Sequence, residues 1–135
     1  MIRFESETFK KVRFTKSQIN GYLKKAFGDL EIAGKDSFVE VRFTYSYQAL
    51  IKGGIALLAK VGQVKVRAVP GHHIKILECV SEILDDSDIL ALGNAMRMKR
   101  NEDLYGEAGA VTESEVAEYL SFVRSVLNRI RGRIG

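Results

Sequence analysis

Apolar residues recur at spacings of three and four along most of this chain, which is the pattern of amphipathic helices. The first such stripe follows Thr15, and Gln18 stands three residues later, at the spacing of a capping box. Gly34 is a residue type that often ends helices, so the pattern predicts a helix over roughly 16 to 33. Its apolar stripe consists of Ile19, Tyr22, Leu23, Ala26, Phe27, Leu30 and Ala33.

The next segment carries two patterns. Ser37 and Glu40 repeat the capping-box spacing and predict a helix over about 37 to 61. Its first part, FVEVRFTYSY, alternates apolar and polar residues in the manner of a strand. Its second part is typical of a helix that Gly53 and Gly54 weaken. Because no turn signal separates the two parts, we predict one long helix. The alternative, a strand over Phe38 to Tyr47, would change the fold class.

Residues Gly62 to Val69 connect the second and third predicted helices, and an extended conformation is compatible with their sequence. Pro70 stands where the third helix can begin, because the missing N–H of proline costs nothing in the first turn. The acidic run DDSD at 85–88 then caps a fourth helix over roughly 88 to 106. The apolar stripe of the third helix consists of His73, Ile76, Leu77, Val80, Ile83 and Leu84.

Thr112 and Glu115 form a third capping-box spacing, ahead of the last helical stripe. Residues 1–14 are polar with scattered aromatics, and an extended arm, a short strand and a helix that docks late all remain open for them. We therefore expect an N-terminal arm over 1–14 and a single helical domain over 15–135. Helices with one apolar face each and short connections predict an all-α fold, an antiparallel up-and-down bundle of four to five helices.

Composition narrows the class of protein only slightly. The hydrophobic fraction of 46% and charged fraction of 28% are those of an ordinary globular domain. The longest apolar run, Ile55 to Ala59, is too short to span a bilayer, and the N-terminus has no apolar core of signal-peptide length. We therefore expect a cytoplasmic protein that does not act at a membrane. The formal charge of +4 permits a polyanionic partner, and the single cysteine, Cys79, is expected to be a small buried apolar residue.

Several kinds of chemistry lack their sequence patterns. The chain has no phosphate-binding glycine motif and no Cys/His spacing of a zinc site, so no cofactor and no metal are predicted. His72 and His73 are adjacent, and helical neighbours point about 100° apart, so both should not easily face one ligand. Either ring can be a packing histidine or can approach a phosphate or a catalytic group on another helix. The C-terminal arginines, at 124, 129, 131 and 133, are typical of a solvated helix end.

The strongest candidate site lies in MRMKRNEDLYGE, from Met96 to Glu107. On a helix, Arg97 shares a face with Arg100 and Asn101, and Tyr105 lies one turn beyond Asn101. The alternative is a solvated face on which Arg100 pairs with Asp103. The amide and the phenol favour a site, since a purely solvated face does not need them.

These residues resemble the HEPN domains, small all-α domains of prokaryotic toxin–antitoxin, CRISPR and abortive-infection systems. The resemblance covers roughly residues 15 to 130. It rests on a tyrosine-rich second helix (YSYQAL, then IALLAKVG), a following GHH helix and a penultimate helix with Arg-Asn-x-x-x-aromatic. Many HEPN domains dimerise, and many are metal-independent ribonucleases. Their motif is an arginine, commonly followed by asparagine, and then a histidine after four to six residues. Here Arg100 and Asn101 match, but Tyr105 occupies the histidine position.

The departure decides which function the resemblance implies. A tyrosine, with an ordinary pKa near 10, is a poor general base at neutral pH. We therefore expect a homodimeric HEPN-like module that binds RNA, a nucleotide or a partner protein such as a nucleotidyltransferase, without strong catalysis. Its binding residues would be Arg97, Arg100, Asn101 and Tyr105. The alternative is a metal-independent ribonuclease that uses Arg100 with Tyr105, His72 or His73. A helical partner-binding protein unrelated to nucleic acid also remains open, with Leu90 to Met98 as its apolar interface.

Overall fold

The computed structural model describes the backbone of residues 3–105 and 111–135 and the side chains of residues 3–101 and 111–135. This part of the chain forms an all-α helical bundle, as the apolar stripes predicted, with one small two-stranded sheet beside it. The helices are α1 (Lys16–Lys35), α2 (Val39–Val61), α3 (His72–Ile83), α4 (Ser87–Tyr105) and α5 (Glu113–Ile134), and the strands are β1 (Phe9–Lys11) and β2 (Val64–Val66).

Two of the three predicted capping boxes are present. The Thr15 hydroxyl accepts a hydrogen bond from the Gln18 backbone N–H at 3.1 Å, and the Gln18 side chain accepts one from the Thr15 N–H at 2.8 Å. Thr112 and Glu115 repeat this arrangement at the start of α5. Helix α1 does not stop at Gly34. It continues through Lys35 and ends at Asp36, whose extended backbone leaves the helix.

Helix α2 is continuous, so the alternative of a strand over Phe38 to Tyr47 is wrong. The predicted box at Ser37 is also wrong, since α2 begins at Val39 with Phe38 as an N-cap that makes no side-chain capping bond. The physical reason for the strand-like pattern is the position of α2, which contacts each of the other four helices. A helix packed on several sides has little need of a polar face, so apolar residues stand on both sides of its sequence.

The N-terminal segment contains a strand. Strand β1 pairs antiparallel with β2, with Phe9 opposite Val66 and Lys11 opposite Val64. The Phe9 side chain is buried in the core, and the ring of Phe4 meets it edge-on at a centroid distance of 5.3 Å. This packing joins the N-terminal segment to the helical part and uses the extended connection between α2 and α3.

The loop into α3 sets the position of two histidines. The helix begins at His72 rather than at Pro70, and Gly71 is its N-cap with a φ of +78°. That left-handed conformation favours glycine, because a Cβ atom would clash with the backbone there. None of the helices in the described ranges combines the length and the apolar character required to cross a membrane.

Candidate functional site

A pocket of 450 Å³ lies between the start of α3 and one side of α4. The loop over 68–71 and the first turn of α3 form one wall, and α4 forms the other. The side chains from the candidate list that line it are Arg97, Arg100, Asn101, His72 and His73. The structure therefore brings together the two groups of residues that the sequence analysis proposed separately. The side chains of Tyr105 and Asp103 lie outside the described residues, so the ridge with Tyr105 and the pairing of Arg100 with Asp103 stay predictions.

The wall from α4 follows from helical spacing. Arg97, Arg100 and Asn101 are three and four residues apart and lie on one face. The Arg97 Nε donates a hydrogen bond to Asn94 Oδ1 at 3.0 Å, one turn earlier on the same helix. This contact holds the Arg97 side chain along α4, where it lines the pocket.

Tyr47 of α2 supports the pocket from beneath, and no role was predicted for it. Its side chain is 1% exposed, and its hydroxyl lies 2.8 Å from His73 Nδ1. The Arg100 guanidinium carbon lies 5.6 Å from the centroid of the Tyr47 ring, within the range of a cation–π contact. The tyrosine-rich sequence of α2 was a signal that could have found it, since a buried phenol on a core helix requires a hydrogen-bond partner.

The hydrogen bond of His72 defines its tautomer. His72 Nδ1 lies 2.7 Å from the Val69 carbonyl oxygen, and a carbonyl only accepts, so Nδ1 carries the proton. In the neutral ring, Nε2 is then the atom that can accept a proton. The rings of His72 and His73 lie edge to face with their centroids 4.3 Å apart, and both line the pocket despite the angle between neighbours on a helix.

Burial controls the charge state of the inner pair. The pKa of His73 is lowered from 6.5 to about 4, first by desolvation and then, in decreasing order, by the neighbouring His72, Arg100 and Arg97. Burial raises the pKa of Tyr47 to about 12, although Arg100 and Arg97 oppose the shift. Both groups are therefore neutral at pH 7, and His73 can act there as neither a cation nor a proton donor of imidazolium type.

The pocket carries net positive charge in the part that is described. Its lining contains two guanidinium groups, one amide and two imidazoles, and no carboxylate among the residues whose side chains the structure describes. The N-terminus of α3 faces the same space, and its dipole favours an anion. Within the same ranges, no group of three or more His, Cys, Asp or Glu side chains is arranged to hold a metal ion. The arrangement is suited to binding a phosphate group.

The C-terminal arginines belong to a different region. Arg129 pairs with Asp86 at 2.7 Å and donates to the Leu84 carbonyl at 2.8 Å, and Arg133 donates to the Ile83 carbonyl at 3.3 Å. Arg129 and Arg133 therefore bind carbonyls at the C-terminal end of α3 rather than only solvating the end of their own helix. Cys79 is buried, as predicted, and burial raises the pKa of its thiol to about 11, which keeps it protonated.

Comparison of the chain with protein-family models, with curated proteins and with solved structures finds no match. The HEPN resemblance therefore stays a prediction that rests on the residues quoted above. The class of site is defined by its geometry alone, as an arginine–histidine pocket between two helices of an all-α bundle.

Proposed function

We propose that this protein is a HEPN-like RNA-binding module that holds a phosphate of the RNA backbone in the pocket between α3 and α4, without strong catalysis. The observation that carries the proposal is the convergence of Arg97 and Arg100 with the N-terminus of α3 around one cavity. Guanidinium groups donate paired hydrogen bonds that match the oxygens of a phosphate. The volume of 450 Å³ lies within the range of ordinary small-ligand sites and is sufficient for one nucleotide unit.

Asn101 supplies the contact that could extend beyond the phosphate. Its side chain is exposed at the rim of the pocket, one residue after Arg100. An amide can donate to and accept from a base edge or a ribose hydroxyl, which is how proteins distinguish RNA from a simple anion. Arg97 and Arg100 would then supply affinity, and Asn101 would supply selectivity.

The proposal includes a homodimer. Helix α4 buries Ile89, Gly93 and Met96, but it also exposes apolar side chains on another face, with Leu92 41% and Met98 50% exposed. A two-fold dimer that pairs this face with the same face of a second copy would cover the exposed apolar side chains of both copies. It would also place the two pockets close together. Sedimentation of the parent protein and of Met98→Asp tests this point: we expect a dimer that the aspartate weakens, and a monomeric parent would contradict it. A nucleotidyltransferase or an antitoxin that covers this face is the alternative occupant.

Fluorescence anisotropy with a labelled single-stranded RNA, in EDTA, tests the binding site. Arg100→Ala should weaken binding about tenfold and reduce the slope of log affinity against log salt by about one phosphate contact. Arg124→Ala is the matched control, since Arg124 is an exposed arginine of α5 outside this pocket. Equal effects of the two substitutions would reject the pocket as the binding site. Binding of a labelled mononucleotide, with no affinity for the longer RNA, would instead identify a nucleotide-binding protein.

A second candidate function, a metal-independent ribonuclease, is favoured by the tautomer of His72. Its Nε2 is the proton-accepting atom, and it belongs to the same pocket as the two arginines. In that reaction Nε2 takes the proton of an RNA 2′-hydroxyl, and the oxygen attacks the adjacent phosphorus. The 5′-oxygen leaves with a proton from water, and a 2′,3′-cyclic phosphate remains. Incubation of a mixed RNA pool in EDTA tests it. Cleavage by the parent that disappears in both His72→Gln and Arg100→Ala would support the ribonuclease over the binding module. Intact RNA after incubation with the parent would support the binding module instead.

A further inference from the structure

We propose that Tyr47 is the positioning residue of the arginine–histidine pocket: its hydroxyl fixes the ring of His73, and its ring face orients Arg100. Tyr47 does not line the pocket, yet it contacts one residue from each of the two walls. The part of the inference that concerns RNA affinity rests on the function proposed above. The part that concerns His73 can be tested without any ligand.

The hydroxyl makes a bond that the fold requires. A phenol on a side chain that is 1% exposed has lost water and needs a protein partner. His73 Nδ1, at 2.8 Å, is that partner. The phenol is the better donor of the two, so Nδ1 accepts and the proton of His73 is on Nε2. This bond fixes both the tautomer and the rotation of the His73 ring.

The effect reaches the pocket through the second histidine. The ring of His73 lies against that of His72 at 4.3 Å, and His72 is tied to the loop by its bond to the Val69 carbonyl. A rotation of His73 would therefore displace His72 or break one of these contacts. Tyr47 of α2 thus anchors the wall formed by α3.

The ring acts on the other wall. Its face attracts the Arg100 guanidinium, whose carbon lies 5.6 Å from the ring centroid. Arginine side chains carry much rotational freedom, and a contact that limits it lowers the entropy lost when a ligand binds. The two contacts can be separated, since phenylalanine at position 47 keeps the ring and removes only the hydroxyl.

Packing alone is the competing explanation, because Tyr47 belongs to the hydrophobic core. A residue that only packs would tolerate Tyr47→Phe without a change in His73 or in ligand affinity. Tyr45→Phe is the matched control: Tyr45 is a partly buried tyrosine on the same helix that does not line the pocket.

The first measurement is imidazole nitrogen NMR of the ligand-free protein across a pH titration. The chain has two histidines, so His73→Gln assigns the signals. The groups that face His73 are Tyr47, His72, Arg97 and Arg100. We expect the parent His73 to be protonated on Nε2 alone down to low pH. Tyr47→Phe should raise the midpoint of its titration, because the donor to the neutral ring is lost. Tyr45→Phe should leave it unchanged.

The second measurement is RNA affinity on the same samples. Tyr47→Phe should weaken binding about threefold to tenfold, the range expected for one buried hydrogen bond. Its salt slope should equal that of the parent because no phosphate-binding charge is removed, whereas Arg100→Ala should reduce that slope. His73→Gln removes the same bond from the other side. The double variant should therefore lose little more than either single variant.

The outcomes separate the two proposals. A parent that binds no RNA, with a shifted His73 titration in Tyr47→Phe, would reject the proposed function and support the role of Tyr47. A parent that binds RNA, with a Tyr47→Phe variant that matches it in titration and affinity, would overturn the role of Tyr47 and leave the function standing. A shifted titration with unchanged affinity would overturn the claim that Tyr47 serves binding. Urea unfolding of each variant confirms that folded proteins are compared.

Discussion

Replacing Gly54 by alanine should destabilise the protein, whereas the same replacement at Gly21 should stabilise it. Both glycines lie inside helices, Gly54 in α2 and Gly21 in α1. A Cβ atom built on Gly54 would lie 2.5 Å from Ile76 Cγ2 and 3.1 Å from Val80 Cγ2, both on α3. These partners are β-branched and stiff in a helix, so they cannot rotate away easily. A Cβ on Gly21 meets no atom of the described residues within 4 Å.

The magnitude follows from two opposing effects. Alanine is better than glycine inside a helix by about 1 kcal/mol, and this gain applies at both positions. Overpacking a close helix contact costs about 1–3 kcal/mol, and this loss applies only at Gly54. Gly21→Ala should therefore gain up to about 1 kcal/mol. Gly54→Ala should lose up to about 2 kcal/mol. The helix propensity cancels in the difference between the two variants, which should be about 1–3 kcal/mol.

Urea unfolding followed by far-ultraviolet circular dichroism measures both free energies of unfolding. The titration of His73 is a second measurement of the same effect, because Gly54 lies two turns after Tyr47 on the side of α2 that faces α3. Pushing α3 outward should loosen the bond from Tyr47 to His73 and change the His73 titration. If Gly54→Ala were as stable as Gly21→Ala, the close approach of α2 and α3 described here would be wrong, and with it the support beneath the pocket.

Two further predictions concern stability. His73 binds a proton at about pH 4 when folded but at about 6.5 in its ordinary state, so between these values the unfolded chain binds more protons. The free energy of unfolding should fall as pH decreases from about 6.5 to about 4, and His73→Gln should flatten that window; parallel curves for the two proteins would contradict the assignment. Thr112→Ala should lower the free energy of unfolding by about 1 kcal/mol because it removes the cap of α5, and Thr15→Ala should have a similar effect at α1. Serine at either position keeps the capping hydroxyl, so it should retain most of the parent's stability, which urea unfolding measures.

The helical elements were predictable where a local rule decides them. Thr15 and Thr112 form the capping boxes that their spacing predicted, because the donor, the acceptor and the helix lie within four residues. Ser37 has the same spacing and does not cap, because α2 begins at Val39 with Phe38, not Ser37, as its N-cap. The Asp36 Oδ1 accepts the Phe38 N–H at 2.8 Å in the turn before the helix, and a rule based on the spacing of one residue pair does not include such a neighbouring contact.

Longer-range features were less predictable. The pairing of Phe9–Lys11 with Val64–Val66 joins segments more than fifty residues apart, and three-residue strands leave almost no periodic signal. Gly53 and Gly54 were interpreted as weak points of a helix. The structure shows that they are positions where α5 and α3 approach α2 closely. The cost in helix propensity is local and visible in the sequence, whereas the packing that offsets it depends on two other helices.

The candidate site divides in the same way. The shared face of Arg97, Arg100 and Asn101 follows from helical spacing, and sequence alone could propose it. The meeting of that face with His72 and His73 depends on how α4 packs on α3, which no spacing rule contains. Tyr47 was missed because its role exists only after α2, α3 and α4 have come together. The tyrosine-rich sequence of α2 indicates only that a buried phenol there needs a partner, and it does not identify His73 as that partner.

The neutral state of His73 limits which residues could supply positive charge to the phosphate that we propose the pocket binds. An imidazolium at this position would add a third positive charge, but burial, followed by His72 and the two arginines, holds the pKa of His73 at about 4. In the complex proposed above, the positive charge that meets the phosphate at neutral pH would come from Arg97, Arg100 and the N-terminus of α3. RNA affinity that rises between pH 8 and pH 6 would therefore have to involve a group other than His73. The other imidazole that lines the pocket is that of His72. Loss of such a rise in His72→Gln, with its persistence in His73→Gln, would separate the two adjacent imidazoles into a ligand-facing residue and a supporting one.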